Sequence, residues 1–351
     1  EEPLAYGVSD ILKNANITTF APSKAASKLE SSKLFTKEIC DSCQAPTAGY
    51  DYFDNKEKAI EFIKKSKFPI VVKADGLAAG KGVVIASEYL KAKEAITEMF
   101  GGHYGQAGNQ VVIEEFMEGE EASLFVLCDG ENLISFGGAQ DHKRAFDGDN
   151  GPNTGGMGAY SPTPVLTKEI EKKAISKIIK PCLSEMRKRG IPYEGVLYAG
   201  LMIVNNEPFL IEYNVRMGDP ECQTILPKLK TDLSEVFLAC CNESLDKINL
   251  DWLNKKSLCV VVCSKGYPDE FKKNIKIENL KSINLQSQDY LFHAGTSKKN
   301  SEVYAIGGRV LNFVSLSNDF NDAKTNIQKN LDNLNWSGGF YRRDIGYKVI
   351  D

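Results

Sequence analysis

Histidine is scarce in this chain, three in 351 residues, and tryptophan scarcer at two. So few imidazoles argue against a histidine-built metal centre. Charge of one sign is also lacking: 43 basic residues against 47 acidic ones leave a net charge of −4. That balance gives no electrostatic reason to expect nucleic acid or an anionic membrane as partner. No apolar run approaches the roughly 18 residues of a membrane span, and no signal peptide, internal repeat or low-complexity linker is visible. The nine cysteines are odd in number and scattered, and Cys40-x-x-Cys43 has neither a second pair nor flanking histidines. Zinc binding and thiol redox chemistry are therefore disfavoured, and reduced thiols in a cytoplasmic compartment are expected. What remains is ordinary: 42% hydrophobic and 26% charged residues, long enough for two to four domains.

One stretch stands out. Phe68 to Ala86 reads FPIVVKADGLAAGKGVVIA. The apolar run Pro69–Val72 ends in Lys73. Asp75 and a loop with Gly76, Gly80, Lys81 and Gly82 follow, and a second apolar run begins at Val83. The pattern predicts a strand, a glycine-rich loop and a returning antiparallel strand. Glycines let successive N–H groups converge on an anion, and lysine adds positive charge. A Walker A loop is excluded: Gly76 and Gly80 are one residue too close, Gly82 occupies the hydroxyl position, and β-branched residues follow where a helix is required. The stretch is either a phosphate-covering hairpin or an ordinary one.

Around it the periodicity predicts helices over Leu4–Asn14, Ser23–Cys43 (Phe35 and Ile39 on one face, Lys33 and Lys37 on another) and Thr167–Arg189, the last kinked at Pro181. Asp54 and Glu57 suggest a capping box, and Ser87 a further cap. Strands are expected at Ile17–Phe20, Gln110–Phe116, Ser123–Cys128, Leu133–Phe136, Tyr198–Val204 and Pro208–Val215, with a helix over Thr231–Cys241. Asp141–Pro164 shows almost no periodicity and reads as a long loop, either functional or disordered. Residues 256–351 read as a small domain with strands at Leu258–Cys263, Tyr290–Ala294 and Val303–Leu316 and a helix near Asn321–Leu334.

Several clusters can carry chemistry. In Ile211-Glu212-Tyr213-Asn214-Val215-Arg216, strand alternation puts Ile211, Tyr213 and Val215 on a core face and Glu212, Asn214 and Arg216 on the other. A carboxylate and an amide oxygen at that spacing suit Mg²⁺, and a guanidinium suits phosphate, although a solvated strand face has the same pattern. Gly218-Asp219-Pro220-Glu221 adds a turn with two carboxylates. Glu114-Glu115-Phe116-Met117 ends a strand with acids and apolar groups able to meet an adenine edge, with Glu121 near ribose, or it is an acidic crossover. Asp141-His142-Lys143-Arg144 and GPNTGGMGAYSP from Gly151 concentrate polar donors. Within the former, His142 is either a general base or an ordinary hydrogen-bonding residue. Gly307-Gly308-Arg309, with Phe292–Thr296 beside it, could address an anion or form a bulge.

Taken in order, IVVKADGLAAGKGV, VIEEFMEGEEAS, QDHKR, GPNTGGMGAYSP, LYAGLM, IEYNVRMGDPE, FHAGT and GGRVL resemble the ATP-grasp superfamily and, within it, the phosphoribosylamine–glycine ligase family, over essentially the whole chain. The resemblance implies an α/β fold of several domains: residues 1–27 ending a Rossmann-like domain, 28–255 an ATP-grasp region (a small subdomain over 46–115 and a larger one over 116–255), and 256–351 a C-terminal domain. It implies ATP-driven joining of glycine to 5-phosphoribosylamine through glycyl phosphate. Lys33 and Lys73 would face ATP phosphates under the loop of Gly76, Gly80, Lys81 and Gly82. Glu114, Glu115, Phe116 and Met117 would meet adenine, and Glu121 ribose. Glu212 and Asn214 would bind Mg²⁺ or Mn²⁺. Asp141, Lys143, Arg144, Thr154, Gly155, Arg216 and Asp219 would serve glycine and phosphoribosylamine, with Gly308 and Arg309 in the closing domain.

Two departures qualify the match. A second metal carboxylate that many ATP-grasp enzymes carry is here Gly200. The family's early glycine-rich loop, which helps hold the phosphoribosyl phosphate, is not among these residues: either it lies upstream of Glu1 or the chain is truncated, and a truncation would lower affinity for phosphoribosylamine. The alternatives are a nucleotide-binding fragment with impaired catalysis and an ATP-grasp ligase for another acid or amine. Monomer and dimer are both compatible with the sequence.

Overall fold

A computed structural model describes residues 1–78, 82–103 and 105–350. The backbone forms two compact units, neither contiguous: Glu1–Phe136 with Val165–Met217 and Leu233–Asn249, and Gly137–Pro164 with Gly218–Asp232 and Leu250–Asp351.

The first unit holds two antiparallel sheets. The smaller has the strand order Tyr50–Phe53, Val111–Glu115, Ile70–Ala74, Val83–Ala86. Helices Lys56–Ile63 and Tyr89–Glu98 cover it, burying Ala59, Ile63, Ala92 and Ile96 against Ile70, Val72 and Ile113. The hairpin expected around the glycine-rich stretch is present, with Lys73 opposite Val83; Gly80 and Lys81 fall outside the described residues. The larger sheet of this unit pairs Glu120–Asp129, Glu194–Val204 and Glu207–Asn214. Its apolar face packs on helices Lys33–Cys43 and Lys180–Lys188, with Leu124, Val126, Leu197, Leu210 and Tyr213 buried. Asn205 and Asn206, at φ 50° and 61°, make the tight turn between the last two strands.

Local chemistry moved several expected elements. The helix expected over Leu4–Asn14 breaks at Gly7 (φ 86°), and Ile17–Phe20 is irregular rather than a strand. Ser23–Cys43 breaks at Ser32, which is extended and caps the Lys33–Cys43 helix through its side chain and the Phe35 N–H. Asn55, not Asp54, caps Lys56–Ile63, and Glu88 rather than Ser87 precedes Tyr89–Glu98. The kink expected at Pro181 is absorbed one turn earlier by a π-helical turn, Ile175–Ile179, leaving Pro181 in the first turn of Lys180–Lys188, where its missing N–H costs least. The Glu207–Asn214 strand bulges: Gly200 pairs with Glu212 and Leu201 with Leu210, so Ile211 is the extra residue and leaves the core face assigned to it by simple alternation.

The second unit is built on Gly158–Ser161, Lys256–Ser264, Arg309–Ser317 and Asp289–His293, antiparallel in that order. Helix Phe320–Leu334, capped by Asp319, lays Ala323, Ile327, Leu331 and Leu334 against Val260, Val262, Val310 and Phe313. The expected strand Val303–Leu316 divides at Gly307-Gly308 into Glu302–Ala305 and Arg309–Ser317, and Gly295 sits beside the break, its N–H on the Arg309 carbonyl. The stretch Asp141–Pro164 is not a structureless loop. It contains a short hairpin, Arg144–Phe146 with Asn150–Asn153, and the strand Gly158–Ser161; its glycines, asparagines and prolines mask any alternation. Among the described residues no helix is long and apolar enough to cross a membrane.

Candidate active site

In the first unit, residues from four separate stretches line one cavity: Glu30, Lys33 and Lys37; Gly76 and Gly82; Glu114; and Ile211 to Asn214 with Arg216. Lys73 is buried next to them. Its Nζ donates to the Ile211 carbonyl at 3.2 Å and meets Glu114 Oε2 at 2.8 Å. The bulge frees that carbonyl from the strand ladder. Lys37 approaches the other oxygen, Glu114 Oε1, at 3.1 Å, and donates to Thr47 Oγ1 and the Ala48 carbonyl. Glu114 is thus a buried carboxylate clamped by two buried lysines, each 3% exposed at its side chain. Lys33 donates to the Gly76 carbonyl at 3.1 Å. Asp75 ties the same two segments together: its carboxylate accepts the N–H groups of Lys33 and Leu34 and the Ser32 hydroxyl, at 2.5, 3.2 and 3.2 Å. An acidic side chain at a helix N-terminus meets unpaired N–H groups and the positive end of the helix dipole.

Burial pushes Lys33 and Lys37 below the ordinary lysine range. Glu212 opposes this most at Lys33, and Glu114 at Lys37. Negative charge entering the cavity stabilises both ammonium groups. Glu212 and Asn214 reach the cavity from one strand, and Glu212 lies directly across from Gly200, which has no side chain to add a second carboxylate there. Arg216 is engaged within the protein, by Glu1 at 2.6 Å, Glu30 at 2.9 Å and the Asn214 amide oxygen at 3.2 Å. Burial raises the Glu30 carboxyl, and Arg216 opposes that rise most. Glu115 turns away from the cavity to the surface, beside Gly49. Phe116 and Met117 wall a second concavity with Val204, Asn205 and Phe209. Phe116 and Met117 follow the strand that carries Glu114, and Phe209 is on the strand that carries Ile211. Glu121 lines neither; it pairs across the sheet with Met202.

The remaining candidates gather in the second unit. Asp141 ends the strand Leu133–Asp141, opposite Ala159. The Lys143 carbonyl accepts from both the N–H and the hydroxyl of Thr154, at 2.7 and 2.9 Å. Arg144 donates to the Gly151 carbonyl. Arg309 spends its guanidinium on the Gly155 carbonyl (2.8 Å), the Asp219 carbonyl (2.6 Å) and Asp219 Oδ2 (2.9 Å). The Gly155 N–H donates to the Tyr267 hydroxyl, and a Cβ at Gly308 would fall 2.2 Å from the Tyr267 ring. His142 is buried with Nε2 accepting the Gly346 N–H, a structural bond rather than a poised general base.

Sequence reasoning paired Lys37 with Lys33 on one helical face but did not place it at the site. It gave no site role to Glu30, Asp75 or Tyr267, because their partners are distant in the chain. The helical i, i+4 spacing of Lys33 and Lys37 was the available signal for Lys37.

Residues 31–222 match the model of the phosphoribosylglycinamide synthetase ATP-grasp (A) domain, and residues 257–348 that of the phosphoribosylglycinamide synthetase C domain. A phosphoribosylamine–glycine ligase of Agrobacterium fabrum is 46% identical over 350 residues, covering 100% of this chain and 82% of the relative. A chloroplastic phosphoribosylamine–glycine ligase of Arabidopsis thaliana is 47% identical, covering 100% and 67%. The crystal structure of a phosphoribosylamine–glycine ligase from Thermotoga maritima superposes with a TM-score of 0.86 at 32% identity, over 96% of this chain and 83% of that one. The biotin carboxylase domain of a Hydrogenobacter thermophilus 2-oxoglutarate carboxylase, at 17% identity and a TM-score of 0.70 over 94% and 72%, shares the fold.

Proposed function

The chain belongs to the phosphoribosylglycinamide synthetase family, and we propose that it joins glycine to 5-phosphoribosylamine with ATP, giving glycinamide ribonucleotide, ADP and phosphate in purine biosynthesis. The observation that carries this reading is the cavity in which Lys33 and Lys37 stand with Glu114, Glu212 and Asn214, with Lys73 buried behind Glu114, in a chain similar over its whole length to such ligases.

The chemistry needs no protein nucleophile. Glycine's carboxylate takes the γ-phosphoryl group of ATP, giving glycyl phosphate and ADP. The amine of phosphoribosylamine attacks the acyl carbon, the bond to phosphate breaks, and the nitrogen loses a proton. Catalysis is positioning and charge neutralisation. Lys33, Lys37 and Lys73 supply countercharge to the polyphosphate, and Glu114 holds Lys37 and Lys73 in place. The adenine lies against Phe116, Met117 and Phe209, with the Glu115–Met117 backbone at its edge and Glu121 toward the ribose. Gly76 and Gly82, which line the cavity, are assigned to the phosphates; Gly80 and Lys81, expected to share that role, lie outside the described residues.

Glu212 and Asn214 suit Mg²⁺ or Mn²⁺, because they offer two hard oxygens to one cavity. Mg²⁺ takes hard oxygen ligands and keeps phosphate oxygens and waters among them, so a pair of protein oxygens is enough. Such an ion, when bound, neutralises phosphate charge. Asp141, Lys143, Arg144, Thr154, Gly155, Arg216 and Asp219 are assigned to glycine and phosphoribosylamine, with Gly308 and Arg309 in the C-terminal domain, where Arg309 braces Gly155 and Asp219. Nine free cysteines suit the reducing cytoplasm.

The test is ADP release by the purified protein, with glycine and phosphoribosylamine supplied together and singly. Sustained release that needs both supports the reading. Turnover with another acid and none with glycine overturns it, as does ATP binding without turnover.

A further inference from the structure

The hairpin Arg144–Phe146 with Asn150–Asn153 has strands of three and four residues, and its tip, residues 146–152, is exposed. A two-stranded hairpin of that size is marginal by itself. Its fastening comes from far along the chain. Arg342 is 1% exposed, the most deeply enclosed arginine among the described residues. Its Nε and Nη2 fork onto Asp344 at 2.8 and 2.7 Å, while Nη1 meets Asp149 Oδ1 at 2.8 Å and the Arg144 carbonyl at 3.0 Å. The same segment makes four further bonds to the hairpin region. Asp344 accepts the Gly148 N–H, Asp147 accepts the Arg343 N–H, Asp149 accepts the Tyr347 hydroxyl, and His142 accepts the Gly346 N–H.

A buried guanidinium is tolerated only when its donors are met in good geometry, and it then enforces that geometry. Here it fixes the Arg144 carbonyl. One residue earlier, the Lys143 carbonyl holds Thr154 through two bonds. Displacing Arg144 therefore shifts Lys143 and Thr154 together. We propose that Arg342 is a positioning residue for phosphoribosylamine, acting through the backbone of Lys143 and Arg144; this rests on the assignment of those residues to the glycine and phosphoribosylamine side of the reaction, and commits them to the second of the two. Misplacing a contact by about 1 Å costs on the order of a hundredfold in the worst case, so the effect is large enough to read in one substrate's KM.

The test is steady-state kinetics of the full-length protein with each substrate varied in turn. Arg342→Lys keeps the charge but loses the planar fork. The expected result is a rise of roughly tenfold or more in KM for phosphoribosylamine, with KM for ATP changed less than about twofold. Tyr347→Phe, which removes a hydroxyl from a half-exposed side chain, gives a smaller rise in the same KM. A folded Arg342→Lys protein with an unchanged KM for phosphoribosylamine overturns the proposal, as does an equal rise in the KM for ATP. Should Arg342→Lys fail to fold, Asp149→Asn and Tyr347→Phe decide on the same criterion. Lys143→Ala separates the two levels. If it raises the phosphoribosylamine KM while the Arg342, Asp149 and Tyr347 variants do not, the positioning role is wrong and the substrate assignment survives. If Lys143→Ala also leaves that KM unchanged, both fall.

Discussion

His142 is 4% exposed, and its Nε2 accepts the Gly346 N–H at 3.1 Å. A protonated imidazole cannot accept that bond. Burial, with the Arg342 guanidinium adding to it, lowers His142 from 6.5 to about 4, against the pull of Asp149 and Asp344. The unfolded chain takes a proton near 6.5 and the folded one only near 4, so the stabilisation is fully present above 6.5 and is lost as pH falls toward 4. Between pH 7 and pH 5 the loss is about 2 kcal/mol. At an unfolding entropy of about 2.1 cal/mol/K per residue, that lowers the melting temperature of a 351-residue chain by about 3 °C. His142→Gln keeps an acceptor near the Gly346 N–H but does not titrate. The wild type should therefore lose about 3 °C more than His142→Gln over that interval in scanning calorimetry. Three histidines make the imidazole NMR spectrum simple to assign, and the His142 signals should stay those of the neutral ring down to pH 5. Parallel melting curves against pH for the two proteins, or a His142 midpoint near 6.5, would refute the reasoning.

Lys73→Ala should raise KM for ATP by roughly ten- to a hundredfold, the cost of one charge-assisted hydrogen bond; unchanged ATP kinetics would remove Lys73 from the phosphate site. Glu212→Gln should weaken Mn²⁺ binding, read by paramagnetic relaxation of water, and depress metal-dependent turnover while the melting temperature holds; an unaltered metal titration would strip Glu212 of its role as ligand. Gly308→Ala should destabilise the second unit by about 1–3 kcal/mol, because its Cβ would fall 2.2 Å from the Tyr267 ring. A denaturation midpoint equal to that of the wild type would mean that the ring moves aside freely.

Much of the fold was legible because its signals are local. Tyr213 and Val215 alternate into the core with Glu212 and Asn214 opposite, and the Asn205-Asn206 turn announces its hairpin. Ala323, Ile327, Leu331 and Leu334 mark a helix by spacing alone. Legibility failed where a partner far along the chain decides the outcome. Ser32 breaks a helical pattern where the new helix start is bonded by Asp75, more than forty residues on. Arg342 and the Arg144 carbonyl are 198 residues apart, so nothing near Asp141–Pro164 announces the strap that orders it. At the site, the lysines and the Glu-x-Asn pair could be read as residue types at fixed spacings. The clamp of Glu114 by Lys37 and Lys73 could not, because it joins a helix to two strands.

The extra residue at Ile211 separates stability from chemistry along one strand. Simple alternation places one side chain per step on each face, but the bulge delivers two neighbours, Ile211 and Glu212, to the cavity side and turns a main-chain carbonyl toward Lys73. A chain shortened by this one residue would still alternate correctly from Leu210 to Tyr213, and its ladder would gain regularity. What it would lose is the apolar wall and the anchor of a lysine. The irregularity is thus a cost in sheet regularity retained for its product, and drift toward a more ideal hairpin would leave a sound fold with a poorer grip on its nucleotide.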